Sequence, residues 1–291
     1  MFIVPDDINP SMMSPEAMLD NINFLMSEHC NGTDLRSALR SAIWHNGVFQ
    51  FGEQVTDGPR AILTHWQGID SPESYQKNME DPAGRNLLER NNWVEAVIDY
   101  HANSWGFRSS AEYDHVPEPC IVALGCSFTF GVGLHEYQTW PSLLGKLMGV
   151  RVLNLGMPGH SLDLNSLWLT LEGHAIHNPI AVCVLEPPNG RVSWMVQHPM
   201  TPDVYTHQMR EVCRSNPNPR IISNLLLNSL VHSYKNYHTV KAWADRKGVP
   251  LLWNRNLLNP YVNSFARDLA HFGPEWHQHK ANDFYTCLKN T

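Results

Sequence analysis

The chain has 291 residues, 43% hydrophobic and 17% charged, which is enough to bury a core as one large α/β domain or two modest ones. A net charge of −7, with only 21 Lys+Arg and no basic cluster, argues against sequence-independent nucleic-acid binding. No apolar run approaches the roughly 20 residues of a membrane-spanning helix, and 18 Gly with 20 Pro exclude collagen-like and low-complexity chains.

The opening MFIVPDDINP lacks a basic stretch followed by a long apolar one, so a cytoplasmic protein without a secretory signal is expected. Ser14-Pro15-Glu16 opens a helix running through Cys30, with Ser as N-cap and Pro at the first helical position. Asn31-Gly32 stops it. His45-Asn46-Gly47 ahead of Val48-Phe49-Gln50-Phe51 reads as a short hairpin. Residues 71–101 read as helical, with Leu87, Leu88, Trp93 and Val94 as buried candidates. Residues 1–100 therefore form a mainly helical cap or adaptor region, a candidate for protein docking, and residues 101–291 a separate domain.

After residue 115 the pattern becomes strand, turn, helix. Cys120-Ile121-Val122-Ala123-Leu124 is a continuous apolar run, as in a strand covered on both faces. A helix over 137–148 follows, then a strand at 151–155, a helix over about 162–174 and a strand at 180–185. A helix over 222–247, a strand at 251–253 and a helix over 274–288 close the chain. This alternation predicts a doubly wound parallel sheet with helices on both sides, and a site beyond the carboxyl ends of its strands. The six cysteines show no metal-binding spacing and read as reduced thiols.

The strand ends carry the chemistry. The first ends in Gly125-Cys126-Ser127-Phe128-Thr129-Phe130-Gly131, where a Ser on the tight turn has its hydroxyl at the top of the sheet and its N–H at a helix N-terminus. Ser127 as a simple helix cap is the bland alternative, and no P-loop pattern follows. The second ends in Asn154-Leu155-Gly156-Met157-Pro158-Gly159, where Gly159 either shapes a turn or presents its N–H to the site. The third ends in Glu186-Pro187-Pro188-Asn189-Gly190, where Asn189 either forms a turn or donates to an oxyanion. Ahead of the last helix, Asp268 and His271 stand three apart, so that the carboxylate can steady one imidazole nitrogen while the other faces a nucleophile. His277 is the alternative base, and His271, His277 and His279 are a weaker metal-binding alternative. Trp194 and Trp276 are candidate aromatic platforms for a substrate.

These four segments, in this order, resemble the SGNH (GDSL-type) hydrolase superfamily, and Asn103-Ser104-Trp105-Gly106-Phe107-Arg108 resembles the lead-in of many bacterial and phage-encoded members. The resemblance covers about residues 100–291. It implies a flavodoxin-like three-layer α/β/α fold with Ser127 as nucleophile, His271 as base and Asp268 as its partner. The oxyanion hole would comprise the N–H groups of Ser127 and Gly159 and the side chain of Asn189. Cys126 stands where the family has Asp, and Pro187-Pro188 precede Asn189 where it has Gly-x. The implied reaction is hydrolysis of small acyl esters, with O-acetyl groups on a glycan as the leading substrate and no cofactor, metal, nucleic acid or membrane involved. The alternative is a catalytically weak SGNH-fold binding or structural module, such as a phage particle component.

Overall fold

The structure, a computed structural model, describes residues 62–113, 118–187, 191–197, 202–208, 219–255, 260–261 and 263–291. The helix expected over 14–30, the hairpin at 48–51, and Asn189 lie outside these residues. In chain order the described elements are β1 (Ile62–Thr64), α1 (Pro72–Glu80), α2 (Pro82–Arg90), β2 (Tyr100–Ala102), β3 (Cys120–Gly125) and α3 (Ser127–Phe130). Then come α4 (Trp140–Met148), β4 (Arg151–Gly156), α5 (Leu162–Glu172), β5 (Pro179–Leu185), β6 (Arg191–Gln197) and β7 (Pro202–Gln208). The chain ends with α6 (Pro219–Lys247), β8 (Leu251–Asn254) and α7 (Pro274–Lys289).

Strand β3 is buried at every position because each of its faces meets a helical layer. Cys120, Val122 and Leu124 pack with Trp168 and Leu169 of α5 and with Val240, Trp243 and Ala244 of α6. Ile121 and Ala123 point the other way, to Trp140 and Leu144 of α4 and to Trp276, Ala281 and Phe284 of α7. The result is the expected three-layer α/β/α arrangement. The sheet runs β4-β3-β5-β8, with every neighbouring pair parallel. From β3 the chain crosses to β4 on one side and returns to β5 on the other. The strand order therefore reverses beside β3, the place beyond the carboxyl ends where sheets of this kind hold their sites.

The last residue of β4 lies directly under α3. A Cβ on Gly156 would stand 2.3 Å from the backbone nitrogen of Phe130 and 2.8 Å from the carbonyl carbon of Thr129. Gly156→Ala should consequently lower the thermal melting temperature, at a cost of about 1–3 kcal/mol for the forced shift. An unchanged melting curve would mean that α3 does not rest on this strand end.

The first described segment departs from the sequence reading. Residues 71–101 are not one helix, because Asp81-Pro82 ends α1 and starts α2, with Asp81 Oδ2 accepting from the Gly84 N–H at 2.9 Å. Beyond Arg90 the chain turns through left-handed residues Asn92 (φ 58°) and Glu95 (φ 62°), then enters β2, which pairs antiparallel with β1. The boundary expected at residue 100 thus falls inside a strand whose partner precedes it. Leu88, Trp93, Ile98 and Tyr100 are buried with Phe130, Val132, Leu134 and Ala266, whereas Val94 packs only partly. The described part of the first hundred residues therefore shares a core with the loop after α3. A second difference is the hairpin of β6 and β7, which pairs Trp194 with Tyr205 in register and runs beside α5 and α6.

Candidate active site

Strand β3 stops at Gly125 because no other residue fits there: a Cβ would meet Thr129 Oγ1 at 2.1 Å and the Leu185 carbonyl at 2.7 Å. Cys126 is the N-cap residue of α3, and Ser127 is the first residue of the helix rather than its cap. Cys126 is itself buried and behaves as a small apolar residue.

The loop ahead of α7 brings the opposite partner. His271 Nε2 lies 2.8 Å from Ser127 Oγ, and its Nδ1 lies 2.5 Å from Asp268 Oδ2. The Asp268 carboxylate also accepts from the backbone N–H groups of Ala270 (3.1 Å) and His271 (3.0 Å) through Oδ1. Its side chain is fully buried, while the His271 ring keeps 11% exposure. A carboxylate beside Nδ1 assigns the proton to that nitrogen, which leaves Nε2 as an acceptor facing the Ser127 hydroxyl. The turn is held in a costly shape, with Leu269 at φ 55°, as happens where neighbouring structure over-determines a functional loop. Phe128 meets the His271 ring edge-on at 5.2 Å and stacks with Phe272 at 4.9 Å, so the imidazole has a packed wall on one side. The set can take a proton from a hydroxyl as it attacks an electrophilic carbon.

Gly159 sits in the turn after β4, exposed, at φ 78°. An added Cβ would meet nothing within 4 Å, so it is the left-handed backbone, not a close approach, that calls for glycine there. The turn is tied to that of Ser127 by a bond from the Met157 N–H to the Gly125 carbonyl, 2.9 Å. Asn189 falls outside the described residues. Three positions before it, Glu186 accepts from Trp253 Nε1 (2.7 Å) and Arg255 Nε (2.6 Å) and is bonded by the Ser233 hydroxyl, which fixes the end of β5.

Two sequence expectations are corrected. Trp276 is fully buried, packed on Phe128 and Phe272, and offers no platform to a substrate, because its helix faces the sheet. His277, the alternative base, is buried and accepts the Trp140 N–H at Nδ1, 3.0 Å away, far from a role in proton transfer. Among the described residues no group of three His, Cys, Asp or Glu is arranged to hold a metal ion.

Burial, helped by the nearby His271 and Arg108, holds His277 down at about 3 from an ordinary 6.5. The folded protein keeps it neutral while the unfolded chain takes up a proton below pH 6.5. Its contribution to stability is therefore complete above 6.5 and is lost as the pH falls toward 3, on the order of 4 kcal/mol. His277→Gln, which keeps an acceptor for Trp140, should flatten the fall in melting temperature between pH 7 and 4. An equally steep fall in the variant would count against this.

Sequence reasoning passed over Asp70 and Tyr100, which lie beyond the four strand-end segments yet reach both halves of the site. The only signal was that Arg267, a cation, directly precedes Asp268.

No protein-family model and no curated protein matches the chain. Solved structures with some likeness include a G-D-S-L family protein from Desulfitobacterium hafniense DCB-2, at 15% identity over 57% of this chain and 98% of that one, with a TM-score of 0.33. TesA is similar at 14% identity over 59% of this chain and 98% of its own, with a TM-score of 0.30. An acetyl xylan esterase, Est2A, from the rumen bacterium Butyrivibrio proteoclasticus is similar at 12% identity over 65% and 68%, with a TM-score of 0.34. Likeness at these values is too slight to carry an assignment.

Proposed function

We propose that the chain is a serine ester hydrolase of the SGNH (GDSL) type, acting on small acyl esters with O-acetyl groups on a glycan as the leading substrate class. The observation that carries this reading is the continuous chain from Ser127 Oγ to His271 Nε2 (2.8 Å) and from His271 Nδ1 to the buried Asp268 carboxylate (2.5 Å). A binding module has no need of a hydroxyl aligned on an imidazole that a second group orients.

In this reading Ser127 Oγ attacks the ester carbonyl carbon and its proton passes to His271 Nε2. The tetrahedral oxyanion takes hydrogen bonds from the Ser127 and Gly159 N–H groups and the Asn189 amide. Collapse breaks the bond to the alcohol, which leaves with the proton from His271. Water then attacks the acyl-Ser127 ester as His271 takes its proton; the acyl–Oγ bond breaks, His271 returns the proton to Ser127 Oγ, and the acid is released. Asp268 stays ionised throughout and stabilises the imidazolium.

The short-acyl, glycan preference is supported by the family resemblance. The test is twofold. A fluorophosphonate probe should add one phosphonyl group, located by mass spectrometry on Ser127. Turnover of p-nitrophenyl esters should fall steeply from acetate to palmitate, and acetate should be released from an O-acetylated glycan. Labelling elsewhere, or none, would overturn the mechanism, and a preference for palmitate would overturn the substrate class.

A further inference from the structure

We propose that Asp70 is a positioning residue which, through Arg267, holds the Asp268–His271 loop in register with the turn carrying Ser127. The inference rests on the serine-hydrolase reading above. Arg267 and Asp70 are both buried and meet in two parallel bonds, Nε to Oδ1 at 2.9 Å and Nη2 to Oδ2 at 2.8 Å. A forked pair of this kind fixes distance and rotation together, which a single bond does not. The remaining guanidinium donors are used as well, Nη1 by the Ala96 carbonyl (2.8 Å) and Nη2 by the His65 carbonyl (2.6 Å). The Trp66 ring lies 3.9 Å from Arg267 Cζ. The Arg267 guanidinium is thus clamped by residues 65–96, and Asp268 is the next residue in the chain.

The same carboxylate reaches the other half of the site. Asp70 Oδ2 accepts from the Tyr100 hydroxyl at 2.5 Å, and that hydroxyl accepts the Gly133 N–H at 2.7 Å. Gly133 lies three residues past α3 and returns a contact of its own, its carbonyl accepting the Arg267 N–H at 2.9 Å. The two loops pass so closely that a Cβ on Gly133 would stand 2.7 Å from that of Ala266. Arg108 braces the nucleophile side, donating to the Gly131 and Leu134 carbonyls at 2.5 and 2.6 Å with its guanidinium over the Tyr100 ring. One carboxylate therefore ties the base loop to the nucleophile turn, across segments that local sequence does not bring together. A buried ion pair is a poor source of net stability, and its best-attested use is to specify one arrangement.

The experiment compares kcat and KM for p-nitrophenyl acetate in the full chain, at a temperature where circular dichroism shows each variant folded. Asp70→Asn should lower kcat about 10–100-fold, as small misplacements of reacting groups do, with KM within about twofold of the parent. A role in stability alone would lower the melting temperature and leave kcat of the folded variant intact, which overturns the proposal. Asp70→Asn combined with Arg267→Gln should cost no more than the worse single change, since the two act as a unit. Multiplying losses would overturn the route through Arg267. If Asp70→Asn does not fold, Tyr100→Phe removes only the hydroxyl link and should lower kcat about threefold to tenfold at constant KM, and an unchanged kcat there overturns the proposal. Failure of the enzymatic reading looks different, because the parent protein itself would then neither turn over nor take the fluorophosphonate at Ser127.

Discussion

Replacing Ser127 with alanine should reduce kcat for p-nitrophenyl acetate by about 10⁶-fold, to a rate near that of the oxyanion donors alone. The size follows from what is removed. No other hydroxyl in the described structure stands within hydrogen-bonding distance of His271 Nε2, so water would have to occupy the place of Oγ, 2.8 Å from the ring. The fold should survive, because Ser127 is not a helix cap and its hydroxyl bonds no backbone group of α3. An active site that had lost only its nucleophile would keep its melting temperature and its affinity for substrate. Steady-state rates beside a melting curve check both statements. Turnover within tenfold of the parent, in a well-folded Ser127→Ala protein, would mean that the nucleophile is elsewhere.

Asp268→Asn should cost about 10⁴-fold in kcat while changing KM little. The carboxylate accepts at both oxygens, from Nδ1 of His271 and from two backbone N–H groups. An amide can satisfy the backbone donors only by turning its NH2 group toward Nδ1. The ring would then accept at Nδ1 and carry its proton on Nε2, facing a hydroxyl whose proton it must remove. The wrong tautomer is thereby favoured, and the developing imidazolium loses its counter-charge in a dry site. Asp268→Asn and His271→Ala together should be no worse than His271→Ala, since the two serve one proton transfer. Additive losses would show that Asp268 acts on something other than the base.

How far the sequence carries the reading depends on the range of the interactions involved. Asp268 and His271 are close because they are three apart on one turn, so their pairing was legible as spacing. The continuous apolar run of Cys120 to Leu124 demanded cover on both faces whatever supplied it, and this pointed to a parallel sheet with helices on either side. The places of Ser127 and Gly159 in the turns after β3 and β4 were readable as strand ends. Trp276 was misread because an aromatic residue on a helix has no local mark of which way it faces. Its burial against Phe128 and Phe272 follows from the side of α7 that meets the sheet. The helix expected across 71–101 failed at Asp81-Pro82, a local break that the sequence does show, and again after Arg90, where the chain obeys its packing on Phe130 and Leu134 rather than its own periodicity.

The amino-acid sequence alone thus determined the class of fold, the strand ends at which chemistry would gather, and the local Asp-x-x-His turn. These depend on residue type, period and short spacing. The tertiary structure alone decided that Ser127 meets His271 across 144 residues and that Asp70 grips Arg267 across 197. Contacts of that range arise from how the layers pack, and a charged residue looks the same in a sequence whether its partner is solvent or a carboxylate from the far end of the chain.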